Sequence, residues 1–194
     1  MIQQRNTETK TYIKNSLIKL LKEKEMEDIT VSDITRTAGV NRGTFYLHYL
    51  DKYDLIKQLV EEMTKNLEEI LLADEEAEVI DDPLEIIPYQ TILNALLYVK
   101  EEVNFIDALI KNGFEANLKQ ILGQLITKKI ENSEYLKLPE HTIPPDYALE
   151  IIIGTIMSVI LLWIKKGTKE SPEFIAQIID HSKQHSPYEL LFSL

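Results

Sequence analysis

The sequence predicts an all-α fold, and three observations predict it. Apolar residues recur every three or four positions through most of the chain, the pattern of helices that each bury one stripe. The six glycines and seven prolines in 194 residues stand mostly between those stretches, where they punctuate. Between Ser32 and Lys52, the run SDITRTAGVNRGTFYLHYLDK holds cap residues, a glycine turn and a second set of caps. Helix, glycine-containing turn, helix is the sequence form of a helix-turn-helix.

Thr9 to Lys24 predicts an amphipathic helix with Ile13, Leu17, Leu20 and Leu21 on its apolar stripe. Lys10, Lys14, Lys19 and Lys22 lie on the other faces. Most read as a solvated surface, and Lys10 is the candidate for a phosphate. After a polar loop, Ser32 reads as an N-cap with Asp33 in the first turn, and Gly39 as the left-handed residue that ends this helix. Asn41 caps a second helix, Arg42 to Tyr49. Asp51 caps a third, which runs to about Ala73 on the stripe Leu55, Ile56, Leu59, Val60, Met63, Leu67 and Ile70. The acidic run DEEAEVIDD, with Pro83 and Pro88, then breaks the pattern and marks a domain boundary. It separates 1–52 from 74–194, with the helix 51–73 as connector.

The C-terminal part reads as helical throughout: Tyr89 to Val103, Phe105 to Lys111 closed by Asn112-Gly113, and Phe114 to Ile130. A loop with Pro139, Pro144 and Pro145 precedes a long helix, Asp146 to Lys166, stopped by Gly167. Ser171-Pro172 opens the last helix, with cap and N1 proline in their preferred places. From Ile151 to Ile164 the long helix is apolar on nearly every side. Those fourteen residues between Glu150 and Lys165 fall short of the roughly 20 a bilayer requires. The expectation is therefore a helix covered on one face by its own chain and on the other by a second copy.

In the second helix of the motif, Phe45 and Tyr49 share one face, suited to a small core. Arg42, Gly43, Tyr46 and Leu47 occupy the other side. A guanidinium, a phenol and bare backbone at a helix N-terminus suit a DNA major groove. Arginine forks onto guanine there, and glycine permits close approach. The run GVNRGTFYLHYLDKYDL resembles the signature of TetR-type transcriptional regulators, densely from Ile29 to Leu55. Gly154, Trp163, Gly167, Ser171 and Pro172 have a spacing similar to the branch of that family that includes regulators of dihydroxyacetone kinase genes.

The resemblance implies an N-terminal three-helix DNA-binding domain and a C-terminal helical domain for ligand binding and dimerisation. Arg42, Gly43 and Leu47 would meet bases, and Thr30, Thr44, Tyr46, His48 and Lys52 would meet phosphate, with Ser32 placed for either. A cavity between the C-terminal helices has Asn94, Tyr98, Phe105, Phe114, Asn117, Gln124, Met157 and Trp163 as candidate lining. The last two helices would build a homodimer through Ile160, Ile164, Phe174, Ile175 and Ile178. The partners expected are a palindromic double-stranded operator, a second copy and a small-molecule effector, with no membrane. The activity expected is that of a repressor released by that effector. The rival is a co-regulator whose C-terminal domain binds a partner protein.

Charge agrees once it is divided. The whole chain carries −11, but residues 1–50 hold eight Lys or Arg against six Asp or Glu, a balance of +2. The rest holds thirteen against twenty-six, a balance of −13. Only the N-terminal end attracts a polyanion. No cysteine is present, and the first fourteen residues are polar, unlike a secretory leader, so a cytoplasmic protein is expected. The six single glycines build no phosphate-cradling loop, and no catalytic constellation emerges, so neither an enzyme nor a cofactor is expected. His181 and His185 are four apart, but they lack a third ligand beyond Asp180 and read as helix C-terminal residues favoured by the macrodipole.

Overall fold

The computed structural model describes residues 2–73, 87–131, 143–186 and 189–191. Among these every regular element is helical. They are α1 (Ile2–Glu23), a 3-10 turn (Met26–Asp28), α2 (Val31–Ala38), α3 (Arg42–Tyr46), α4 (Lys52–Leu72), α5 (Tyr89–Glu101) and α6 (Val103–Lys111). Then come α7 (Glu115–Glu131), α8 (Pro145–Lys165), α9 (Pro172–His181) and a 3-10 turn (Glu189–Leu191). The acidic run 74–82, Pro83 and the loop holding Pro139 lie outside the described residues.

The chain divides into two compact units: Met1–Lys65 with Asn104–Phe114, and Asn66–Val103 with Glu115–Leu194. This cut differs from one made along the sequence alone. Helix α4 passes from the first unit to the second, and α6 with its closing turn joins the N-terminal helices.

In the first unit α1 packs on α2, and the apolar stripe of α1 is buried, as are Ile29, Ile34, Phe45, Tyr49 and Leu55. The cap of α2 is Thr30, not Ser32. Its hydroxyl accepts from the Asp33 backbone N–H at 3.1 Å, and Asp33 accepts in return from the Thr30 N–H at 3.1 Å. That reciprocal pair is a capping box, and it places the helix start two residues earlier than a Ser32 cap would permit. Gly39 closes α2 at φ +66, where a side chain would be strained. Asn41 caps α3 by accepting from Gly43 N at 2.8 Å, and Asp51 caps α4 by accepting from Tyr53 and Asp54 N–H groups. Helix α3 stops at Tyr46, three residues short of the expected end, although Tyr49 still donates its N–H to the Phe45 carbonyl at 3.0 Å.

In the second unit, α5 packs on α9, and α7 on α8. Ile126, Ile153 and Met157 form a buried cluster that Leu118, Leu122 and Ile156 extend. Gly123 matters here: a Cβ on it would stand 3.3 Å from Ile153 Cδ1, so its bareness lets α7 approach α8. Trp163 is fully buried, with its indole N–H donating to the Glu170 carbonyl at 3.0 Å. Ser171 caps α9 by accepting from Phe174 N at 3.2 Å. Helix α8 is 21 residues long, long and apolar enough to cross a membrane by length and composition, with only 22% of its most apolar stretch buried. The argument that its apolar run is too short to span therefore fails for the complete helix.

Candidate nucleic-acid interface

The site is the tip of α3 and the residues around it. Phe45 and Tyr49 anchor α3 inward. Their rings lie 5.5 Å apart, and burial pushes the Tyr49 phenol up to about 12, with Glu62 and Asp54 adding to the shift. Tyr49 is thus a neutral core residue. With that face committed, the helix turns its opposite face to solvent. Arg42, Gly43, Tyr46 and Leu47 are all exposed, Leu47 at 81%.

Arg42 rests over the Tyr46 ring at 5.6 Å and donates to its hydroxyl at 3.2 Å. The guanidinium is held extended yet retains donors to fork onto a base. At Gly43 an added Cβ would meet only Asn41 Oδ1 at 3.4 Å, an ordinary contact. The fold does not require glycine at this position, so its bareness is available to something outside. Asn41, Thr30 and Ser32 are exposed beside this tip, and Thr44 and His48 are half-buried.

Lys52 does something its sequence position did not reveal. Its ammonium donates to the Met26 and Glu27 carbonyls at 2.8 Å each and lies 5.1 Å over the Tyr53 ring. It braces the turn between α1 and α2. Asp33 is held well below the usual carboxylate range, first by the Thr30 hydroxyl and then by Lys24, whose ammonium is 3.1 Å away. Its second oxygen pairs with Arg36 at 2.7 Å. Three exposed apolar or aromatic residues had no place in the sequence reading: Tyr12, Leu50 and Tyr53. Leu50, at 82% exposure just beyond α3, could have been found from its position between two residues of the motif.

The residues expected around a C-terminal cavity fall in different places. Phe105 belongs to the first unit, fully buried with the Lys14 ammonium 5.7 Å over its ring. Trp163 and Met157 are core. Asn94 and Asn117 are exposed, Asn94 accepting from Gln90 at 2.9 Å, and Gln124 is exposed too. Phe114 is half-buried at the end of the α6 segment, and the Tyr98 hydroxyl accepts from Asn66 at 3.0 Å. A cavity of about 330 Å³ does exist in the second unit, walled by isoleucines that include Ile92, Ile130, Ile151, Ile156 and Ile179. Its polar groups are engaged: Thr155 donates to Ile151 O, Ser182 to Ile179 O, and Lys183 to Ile87 O and Asp180.

Of the residues expected at a dimer face, Ile164 and Ile175 are buried within their own chain and lie on no free surface. Phe174 is exposed, and Ile160 and Ile178 are half-exposed. The free apolar face instead runs through Tyr147, Ile151, Leu162 and Phe174. The His181 and His185 rings stack at 4.1 Å, and among the described residues no group of three or more His, Cys, Asp or Glu could hold a metal ion.

A helix-turn-helix whose second helix shows an arginine, a glycine and a phenol to solvent, followed by a helical C-terminal region, defines a class: helix-turn-helix regulators. Residues 16–59 match the family of bacterial regulatory proteins called the tetR family, and residues 88–183 match the transcriptional regulator C-terminal region. The chain belongs to the TetR family of DNA-binding transcriptional regulators.

It is 28% identical to the uncharacterized HTH-type transcriptional regulator YxbF of Bacillus subtilis (strain 168), over 85% of this chain and 42% of that protein. It is 30% identical to the HTH-type transcriptional regulator AcrR of Shigella flexneri, over 41% of this chain and 37% of that protein. The chain thus spans less than half the length of these two relatives. Among solved structures, the dihydroxyacetone kinase operon activator DhaS shares the fold at a TM-score of 0.56 and 20% identity, over 95% of this chain and 94% of that one. A TetR transcriptional regulator from Streptococcus agalactiae 2603V does so at 0.59 and 21%, over 92% and 95%. The fatty acid degradation regulator FadR from Bacillus halodurans does so at 0.60 and 17%, over 90% and 93%.

Proposed function

We propose that this chain acts in the cytoplasm as a homodimeric repressor that reads a palindromic operator and is released from it by a small-molecule effector. The observation that carries the reading is the outward tip of α3. Arg42, Gly43, Tyr46 and Leu47 are exposed on a helix whose other face is locked by Phe45 and Tyr49. Arg42 chooses bases, Leu47 offers an apolar surface to a thymine methyl, and Gly43 lets the backbone come close. Tyr46, Thr30, Thr44 and Ser32 meet backbone oxygens and set register.

The free face of α8 and α9 favours the homodimer. A second copy laid on Ile151, Leu162 and Phe174 would complete a four-helix interface. The isoleucine-walled cavity is the effector site in this reading. With its wall mostly isoleucine and the Lys183 ammonium paired with Asp180, it suits an uncharged apolar molecule rather than an anion.

The test is a duplex enriched from a random-sequence pool by the unmodified protein. Arg42→Ala should relax sequence choice and cost about 1–3 kcal/mol per half-site, whereas Tyr46→Phe should weaken all duplexes alike. Unchanged preference and affinity in Arg42→Ala would reject α3 as the reading helix.

A further inference from the structure

The 3-10 turn Met26–Asp28 joins α1 to α2 and so sets where the reading pair of helices begins. Side chains from three other places hold it. Lys52, in the first turn of α4, donates to the Met26 and Glu27 carbonyls. Lys24 reaches Asp33 just beyond the turn. The third is Asn112, which follows α6 and is 86 residues away along the chain. Its Oδ1 accepts from the Met26 N–H at 3.0 Å, while its Nδ2 donates to the Leu21 carbonyl at 3.0 Å and to the Ala108 carbonyl at 2.9 Å.

One side-chain amide therefore bonds to both sides of the joint, the last turn of α1 and the first residue of the turn. Its donors meet carbonyls and its acceptor meets an N–H, so both ends of the amide are matched. The backbone presents Asn112 firmly. Gly113 turns at φ +84, and the Phe114 N–H donates to the Leu109 carbonyl at 3.0 Å. Two more contacts tie the same segment to α1: Lys22 Nζ donates to Asn104 Oδ1 at 2.6 Å, and Lys14 lies over Phe105.

The chain on either side of this segment belongs elsewhere. Residues 104–114 count with the first compact unit, whereas 66–103 and the chain from 115 onward form the second. The segment is thus joined at both ends to the second unit. Helix α4 is the other covalent link.

We infer that Asn112 is a positioning residue for DNA reading. It fixes the joint between α1 and α2, and so the position from which α2 presents α3. Lys52 acts in the same grip from α4, through carbonyls of the same turn. The inference rests on the DNA-binding reading above.

The experiment uses the full chain and a duplex that the unmodified protein has enriched from a random pool. Affinity is measured across salt concentrations for Asn112→Leu and Asn112→Asp, alongside amide exchange at Met26. Trp163 emission, which arises in the second unit, reports that this unit is intact. In Asn112→Leu, exchange at the Met26 amide should quicken and affinity should fall about tenfold at every salt concentration. The salt slope should stay unchanged, because the bound contacts remain and only the competent population shrinks. Asn112→Asp keeps the acceptor for the Met26 N–H but sets a carboxylate oxygen against the Leu21 and Ala108 carbonyls, so it breaks the bond to the α1 side and should weaken binding as Asn112→Leu does.

Affinity of Asn112→Leu or Asn112→Asp within twofold of the unmodified protein, or a shallower salt slope, would overturn the inference. If Asn112→Leu does not fold, Asn112→Ser, which loses the long bonds and leaves a wet site, carries the same expectations. Failure of the unmodified protein to enrich any duplex would sink the DNA-binding reading, and this inference with it.

Discussion

The two compact units treat their apolar surface differently. In the first, Ile13, Leu17, Ile29, Ile34, Phe45 and Leu55 are wholly enclosed. Its exposed apolar or aromatic residues cluster around α3: Tyr46, Leu47, Leu50 and Tyr53, with Tyr12 on α1. In the second, α8 leaves Ile151 61% and Leu162 53% exposed, and α9 leaves Phe174 46% exposed. A closed unit can devote its exposed residues to recognition. An open one is completed by what covers it, since apolar patches of this kind are not tolerated bare on a stable monomer. In the proposed reading the DNA-reading unit is finished in one chain, whereas the second unit is completed by another copy.

Breaking the cover should have the largest effect. Leu162→Glu or Phe174→Glu should give a monomer or an aggregate in sedimentation, and should weaken the enriched duplex by roughly 10²-fold or more, because two linked heads bind far better than one. Arg42→Ala should leave the dimer intact and cost about 1–3 kcal/mol per half-site, read as a loss of discrimination between duplexes.

Gly43→Ala sharpens the contrast. The added methyl has room in the fold and should hold or raise stability by up to about 1 kcal/mol, while DNA affinity falls. Thr30→Ala should cost about 0.5–2 kcal/mol in denaturant unfolding by removing the α2 cap, with no change of oligomeric state.

The smallest effect is on pH. Asp33 is held below its unfolded value, so the stability it contributes is fully present above about pH 4 and is lost as pH falls through its folded value. The gap in stability between the unmodified protein and Asp33→Asn should therefore be widest near neutrality and narrow on acidification below about pH 4. A gap that widened in acid would remove Asp33 from the capping box.

What was legible in the sequence was local. Gly39, Asn41, Asp51, Ser171 and the inward pair Phe45 and Tyr49 act within a turn or two of chain, so residue type and spacing declare them. Ser32 was misleading because by residue type serine is the stronger cap. What decides for Thr30 is an acid three residues later, Asp33, where Ser32 is followed by Thr35. Long-range geometry was not legible. The engagement of Lys52 with Met26, the place of α6 in the first unit and the grip of Asn112 all depend on segments 25 to 91 residues apart. Aromatic residues looked like cavity lining, yet Trp163 and Phe105 have the shape and size to fill cores, and isoleucines wall the cavity that forms. Helical periodicity names an apolar stripe but not which part of it the same chain already covers, so Ile164 and Ile175 could not be told from Leu162 and Phe174.

The central claim is that two closed reading units, brought together by their open partners, read one symmetric DNA site. Enrichment of duplexes from a random pool by the full chain, followed by the mass of the complex in sedimentation, tests it most directly. The account predicts two inverted half-sites with centres about 34–36 Å apart along the duplex, occupied by at least two chains. A single unrepeated site bound by one chain, or a pool left without any preferred sequence, would contradict it.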